Sequence, residues 1–240
     1  MEAFELLSFG DAGWGDEIAS GVLVTVALSL LTLPIGLFVG LLVALAKQSS
    51  EKTLRVSADI YTTIFRGLPE LLTIFIVYFG LQIAVRNTAL MLGFKTGFEI
   101  NSFVAGMIAL ALVFSSYASE VFTSAFKAIP KGQYEGAHAL GLSRSRTMYK
   151  IIFPQLIKIS LPGLGNLWMI LLKDTALISA IGLADIMRQT RIAAGVTKEA
   201  FMFYGIACLL FLVLALLSSI VFSRIEAATK RSEAYGEVEK

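Results

Sequence analysis

No charged residue interrupts the chain from Ile18 to Ala46, from Ile100 to Ser119 or from Ala200 to Ser223. A bilayer core ~30 Å thick is spanned by ~20 apolar residues at ~1.5 Å rise each. Each of the three runs is long enough to cross one as a helix. Two further segments are apolar but interrupted. Ile60 to Val85 contains Arg66, Pro69 and Glu70, and Ile159 to Ala184 contains Pro162, Lys173 and Asp174. Both read as spans whose charges face a cavity or neighbouring helices. The expected fold is an all-α integral membrane protein with five transmembrane helices.

Composition agrees. Hydrophobic residues make up 56% of the chain and charged residues 16%, where soluble domains carry ~25% charge. The 20 Lys and Arg nearly balance the 18 Asp and Glu, so nothing favours a nucleic-acid partner. A single Cys (Cys208) excludes a disulfide framework, and a single His (His138) excludes multi-histidine metal sites. The first run is too long for a cleavable signal, and the segment before it is acidic, without Lys or Arg.

The basic residues set the expected orientation. Thirteen of the 20 fall in the first loop, the third loop and the C-terminal tail, against five in the N-terminal segment and the other two loops. The positive-inside rule then places the N-terminus outside and the C-terminus in the cytoplasm. The expected organisation is an external segment 1–17, a single transmembrane domain 18–225 and a cytoplasmic tail 226–240. Within the domain, loop 127–158 is cytoplasmic.

That loop contains PKGQYEGAHALGLSRSRTMYKIIFP, residues 130 to 154. Pro130 suits a helix start and Gly141 a helix stop, which predicts a short helix over Pro130 to Leu140. Ser143 is a good N-cap, and a second helix is expected from there until Pro154. Two short helices in a basic loop beneath a membrane form a docking surface. The alternative is an ordinary amphipathic helix lying on lipid.

This segment resembles the EAA loop of ABC-importer permease subunits, E-A-A, three residues, G, nine residues, then I-x-L-P. Glu135, Gly136, Ala137, Gly141, Ile151 and Pro154 stand at the matching positions. Gly136 replaces an Ala and Phe153 a Leu. Phe65 to Leu81, Tyr117 to Gln133 and Leu171 to Ile186 are similar to segments of the polar amino-acid branch. Within that branch the resemblance is to permeases for histidine, lysine, arginine and ornithine and for the opines octopine and nopaline. Thr123 departs from it, standing where many relatives carry Arg.

The resemblance implies a permease subunit in a bacterial inner membrane, moving a polar, basic amino acid or an arginine-derived opine. It implies that the six loop residues dock on two cytoplasmic ATPase subunits. A second, homologous permease subunit and an external substrate-binding protein would complete the assembly, with membrane lipid around it. The chain has no G-x-x-x-x-G-K-[ST] motif, so ATP and Mg are expected on the partner ATPase and no cofactor on this chain.

Charge at membrane depth is costly and faces protein or water. Glu70 follows Pro69, and such broken places line cavities. A carboxylate there suits a guanidinium or ammonium group, or an internal Glu70–Arg66 pair at i, i+4 spacing. Asp174 could likewise meet a cationic substrate, with Lys173 pairing Glu120, and Asn166 shares a helix face with Lys173. These make Glu70, Asn166 and Asp174 the candidate substrate residues, with ion pairing between helices as the alternative. Glu120 reads as a gating or packing residue. Gly36 and Gly40 permit close helix contact, Pro34 is expected to kink the first helix, Trp14 to anchor at the outer surface and Trp168 to sit at an interface or cavity. No catalytic set is found. The competing function is an ion-gradient-driven secondary transporter or channel, which would need relay carboxylates deep in several spans. An intramembrane enzyme lacks a nucleophile–base pair.

Overall fold

Residues 5–10, 13–93 and 100–238 are described in this computed structural model of the chain. Its elements are helices. After a single 3-10 turn (Glu5–Leu7), α1 (Gly15–Lys47) carries Asp16 and Glu17 in its first turn and Lys47 in its last. Those charges oppose the helix dipole at both ends. Pro34 does not break α1, which is continuous through it.

The expected second span is divided. Leu68 (φ −91°, ψ 144°) and Pro69 (φ −58°, ψ 134°) are extended, so the chain makes α2 (Lys52–Gly67) and α3 (Glu70–Met91). The proline ring bars its predecessor from helical geometry, and the segment separates where only a bend was expected. The membrane-crossing helix therefore begins at Glu70, and Arg66 lies outside it in the last turn of α2. Five helices are long and apolar enough to cross a membrane, as expected.

α4 (Ser102–Ala128) is the centre of the fold. Asn101 caps it, its side chain accepting from the Phe103 N–H at 2.7 Å. α1 lies along α4 on a stripe of small residues. A methyl group at Gly36 would stand 2.5 Å from Phe114 Cδ1, and one at Gly40 2.9 Å from Ala118 Cβ and 3.0 Å from the Ser115 carbonyl. Thr25, Ser29, Thr32 and Ala44 continue the stripe, all buried. The order of these contacts makes α1 and α4 parallel. The G-x-x-x-G pair is thus a packing device, as read from the sequence.

α5 (Lys131–Ala139) follows α4 directly. α6 (Arg144–Thr147), a π turn (Met148–Ile152), α7 (Phe153–Asp174) and a 3-10 turn (Thr175–Ile181) then form one uninterrupted rod. At 1.5 Å per residue it is roughly 55 Å long. Pro154 does not end a helix here, contrary to expectation. The widened turn just before it, where the Phe153 N–H reaches the Met148 carbonyl, absorbs the missing donor. Gly163 packs on Val121 and Ile178 on Gly106, so α7 runs antiparallel to α4.

Gly182 (φ +94°) closes the rod. The sequence reading missed α8 (Ile186–Thr197), a short helix capped by Asp185, whose Oδ1 accepts from the Arg188 N–H at 2.9 Å. α9 (Ala200–Val238) completes the chain; it carries the polar segment from 226 onward as helix as far as Val238, where a separate tail was expected. The main core includes Leu28, Ile74, Phe114, Ile152, Trp168 and Ile178. Trp168 is buried against Phe222, ring centroids 6.4 Å apart, and is a core residue rather than an interfacial one. Trp14 is half-buried beside a second cluster of Leu6, Ile18, Ala193 and Phe203.

Candidate functional site

Two places in the fold bring together the residues singled out from the sequence. The first is the α5 hairpin. Gly141 adopts φ +72°; its N–H bonds the His138 carbonyl at 2.9 Å and the Leu142 N–H bonds the Ala137 carbonyl at 3.0 Å. This is a Schellman closure, which needs a left-handed residue at that one position. It turns the chain sharply from α5 into α6. Ser143 stands at the N-cap of α6 but makes no side-chain cap bond.

Ala137 is buried and Tyr134 packs against the main core. Gln155 donates to Gln133 Oε1 at 3.1 Å, tying α7 to α5. One face of α5 is therefore fixed to the base of the rod. Glu135, Gly136, His138 and Gly141 are exposed on the rest, as is Leu140. Ile151 packs half-buried beneath, and Pro154 is exposed in the first turn of α7. All six predicted loop residues fall within this one hairpin and its root. α5 is thus joined to one end of a rod whose far part carries Asp174.

The second place is a charge cluster among α1, α2 and α4, with Glu70 of α3 and Asp174 of α7 close by. Glu120 Oε1 accepts from Lys47 Nζ at 2.6 Å and from Arg66 Nη1 at 3.0 Å. Lys47 also lies 3.5 Å from Asp59. The Arg66 guanidinium sits 5.6 Å from the centroid of the Tyr117 ring. Tyr61 Oη meets Ser115 Oγ at 2.6 Å and the Leu112 carbonyl at 3.0 Å, holding α2 across the middle of α4. Lys47, Asp59, Arg66, Tyr117 and Glu120 border a cleft of about 890 Å³.

Arg66 pairs with Glu120, so the Glu70–Arg66 pair considered from the sequence is not formed. Glu120 takes its cations from α1 and α2 and not from Lys173. Glu70 and Asp174, both half-buried, lie within electrostatic reach of each other and of Tyr117. The break at Pro69 delivers Glu70 to this point and the rod delivers Asp174. Asn166 is exposed on an open face of α7 with Pro162, Ile170 and Lys173, and no contact joins it to the two carboxylates. Among the described residues no group of His, Cys, Asp and Glu could hold a metal ion.

Known proteins match this arrangement. The nopaline transport system permease protein NocQ of Agrobacterium fabrum is 41% identical over 227 residues, covering 94% of this chain and 96% of that one. The arginine ABC transporter permease protein ArtQ of Escherichia coli is 37% identical over 228 residues, covering 90% and 96%. Residues 33–231 match the family described as binding-protein-dependent transport system inner membrane component. The chain belongs to this family.

It is a permease subunit of an ABC importer of the amino-acid and opine branch, a transport component of the inner membrane and not an enzyme. The crystal structure of an amino acid ABC transporter with histidines superposes with a TM-score of 0.75 at 34% identity, covering 90% of this permease and 95% of that chain. The family implies an ATPase, a substrate-binding protein and a second permease as partners. Neither the gradient-driven transporter nor the intramembrane enzyme survives this assignment. The ion node of Lys47, Arg66 and Glu120 was not read from the sequence, because its members lie on three separate helices and only the fold brings them together.

Proposed function

We propose that this permease imports a cationic amino acid or an arginine-derived opine, held by Glu70 and Asp174 and released by movement of α5. The observation that carries the reading is the convergence of two half-buried carboxylates from different helices at a break in one of them. Neither has an ion-pair partner among the described residues. Two neighbouring acids outside any ion pair attract a cation, and a guanidinium can engage carboxylates bidentately. Asn166, on the open face of α7, contacts the substrate's polar end from the side of the partner subunit. The names of the similar proteins, a nopaline permease and an arginine permease, support the same substrate class.

In this reading the N-terminus is outside and the α5 hairpin is cytoplasmic. Glu135, Gly136, Ala137, Gly141, Ile151 and Pro154 couple it to the ATPase, which holds ATP and Mg. The second permease is a homologous relative rather than a second copy. ATP closure moves α5, the rod tilts, and Asp174 leaves Glu70, so the population shifts between outward and inward openings.

Competition uptake by the whole complex tests the substrate. Arginine, histidine and octopine should compete with one another and glutamine should not. Glu70→Gln should raise the KM for arginine uptake about tenfold or more, on the scale of a charged hydrogen bond of ~1.5–3 kcal/mol. An unchanged KM, or competition by glutamine equal to that by arginine, contradicts the reading.

A further inference from the structure

Beside Tyr117 the ion node leaves a feature that the substrate site does not use. Thr123 is nine-tenths buried, its Oγ1 has no hydrogen-bond partner, and it lines the 890 Å³ cleft. It stands one turn beyond Glu120 on α4, with Lys127 one turn further on the same cleft wall. A buried hydroxyl without a partner is costly, and Thr123 stands on the cleft wall between Glu120 and Lys127.

The rest of the wall already binds the right chemistry. The Arg66 guanidinium rests over the Tyr117 ring and on Glu120. A side chain of the chain itself thus occupies a place built from an aromatic face and a carboxylate, the pair that recognises guanidinium groups. The packing of Gly163 on Val121 and Ile178 on Gly106 fixes the order along the helices. Asp174 lies toward the Gly106 end of α4, and Glu120 lies beside Val121, nearer α5. Tyr117 joins the two, within electrostatic reach of Glu70, Asp174 and Arg66.

We propose that Tyr117, Glu120 and Thr123 form a second substrate station between the Glu70–Asp174 site and the α5 end, occupied at rest by Arg66. A cationic amino acid leaving the first site displaces the Arg66 guanidinium from Tyr117 and Glu120. Its α-carboxylate is received by the Thr123 hydroxyl and the Lys127 ammonium. The exchange is nearly balanced, because one guanidinium replaces another on the same partners, so the substrate is not trapped. The short Thr123 side chain leaves the room for it. The station rests on the cationic reading above.

The test uses the complete importer in proteoliposomes, with radiolabelled L-arginine as the probe. Thr123→Val, which keeps shape, and Glu120→Gln should each lower the maximal rate of uptake about tenfold. The KM for arginine should stay within twofold and ATP hydrolysis should continue. Arg66→Ala removes the competing guanidinium, so the importer should hold radiolabelled L-arginine at least fivefold more tightly, and adding Glu120→Gln should abolish that gain. Were the Arg66–Glu120 pair merely a strut, Arg66→Ala would leave arginine binding unchanged, and that result overturns the station. Full rate in Thr123→Val overturns it too. A normal KM in Glu70→Gln beside the loss in Glu120→Gln removes the first site and leaves the station standing. No arginine uptake by the unmodified complex removes both.

Discussion

The α1–α4 seam and the α5 hairpin are opposite solutions within one chain. In the seam, Gly36 and Gly40 bring two backbones so close that even a methyl group meets Phe114 or the Ser115 carbonyl at 2.5–3.0 Å. In the hairpin, a methyl at Gly132, Gly136 or Gly141 would meet nothing within 4 Å. The seam is finished by the chain's own side chains. The hairpin is held by Ala137, Tyr134 and Gln133 on one face and left open on the other. The difference teaches where a permease keeps its fold and where it leaves surface for a partner: rigidity lies among small residues inside, and contact capacity in a glycine-closed turn outside.

The largest effect expected from breaking this contrast is in the seam. Gly40→Leu should cost ~3 kcal/mol or more through overpacking against backbone that cannot move aside, seen as loss of folded, assembled complex on size exclusion. Second, Glu135→Arg should leave assembly intact while cutting coupled uptake about tenfold and sparing ATP hydrolysis. A parallel loss of assembled complex would place Glu135 in the fold and blur the contrast.

Third comes a pH effect at Asp185. It is fully buried at the N-cap of α8, and burial raises its pKa from 3.8 to about 6, partly offset by the Arg188 and Met187 N–H groups and by Arg191. The native state binds the proton more tightly than the unfolded chain, so stability falls as pH rises from about 4 through 6. At two units the cost at pH 7 is on the order of 2–3 kcal/mol. Asp185→Asn keeps the cap and should flatten the dependence of the melting temperature over that range, with a gain at pH 7. An unchanged slope would assign the dependence elsewhere. The smallest effect is Gly136→Ala, which should stabilise α5 by up to ~1 kcal/mol, seen as a small rise in melting temperature, because a Cβ there meets nothing within 4 Å.

How far the sequence carried depends on range. Three crossing helices were legible because their uncharged runs are contiguous and a bilayer sets their length, and the other two because their apolar flanks are long enough around the interrupting charges. The hairpin was legible because Glu135, Gly141 and Pro154 lie within one short segment, where spacing alone dictates geometry. Pro69 was visible, but whether it bends or severs a helix depends on what α2 packs against, here Tyr61 on α4. α8 announces itself only by Asp185 as an N-cap, and was passed over inside a polar loop. Pro154 misled, because a π turn can absorb a missing donor without ending a helix. The Lys47–Glu120–Arg66 node could not be read at all, since it brings Glu120 of α4 to the ends of α1 and α2, more than 50 residues earlier in the chain.

The central claim, that α5 is the lever gripped by the ATPase, is tested most directly by a photo-crosslinking amino acid in place of His138, an exposed residue in the last turn of α5. Illumination of the assembled importer should yield an adduct of this chain with the ATPase subunit, in nearly stoichiometric amount. Adducts with lipid or the external binding protein alone, and none with the ATPase, would contradict it.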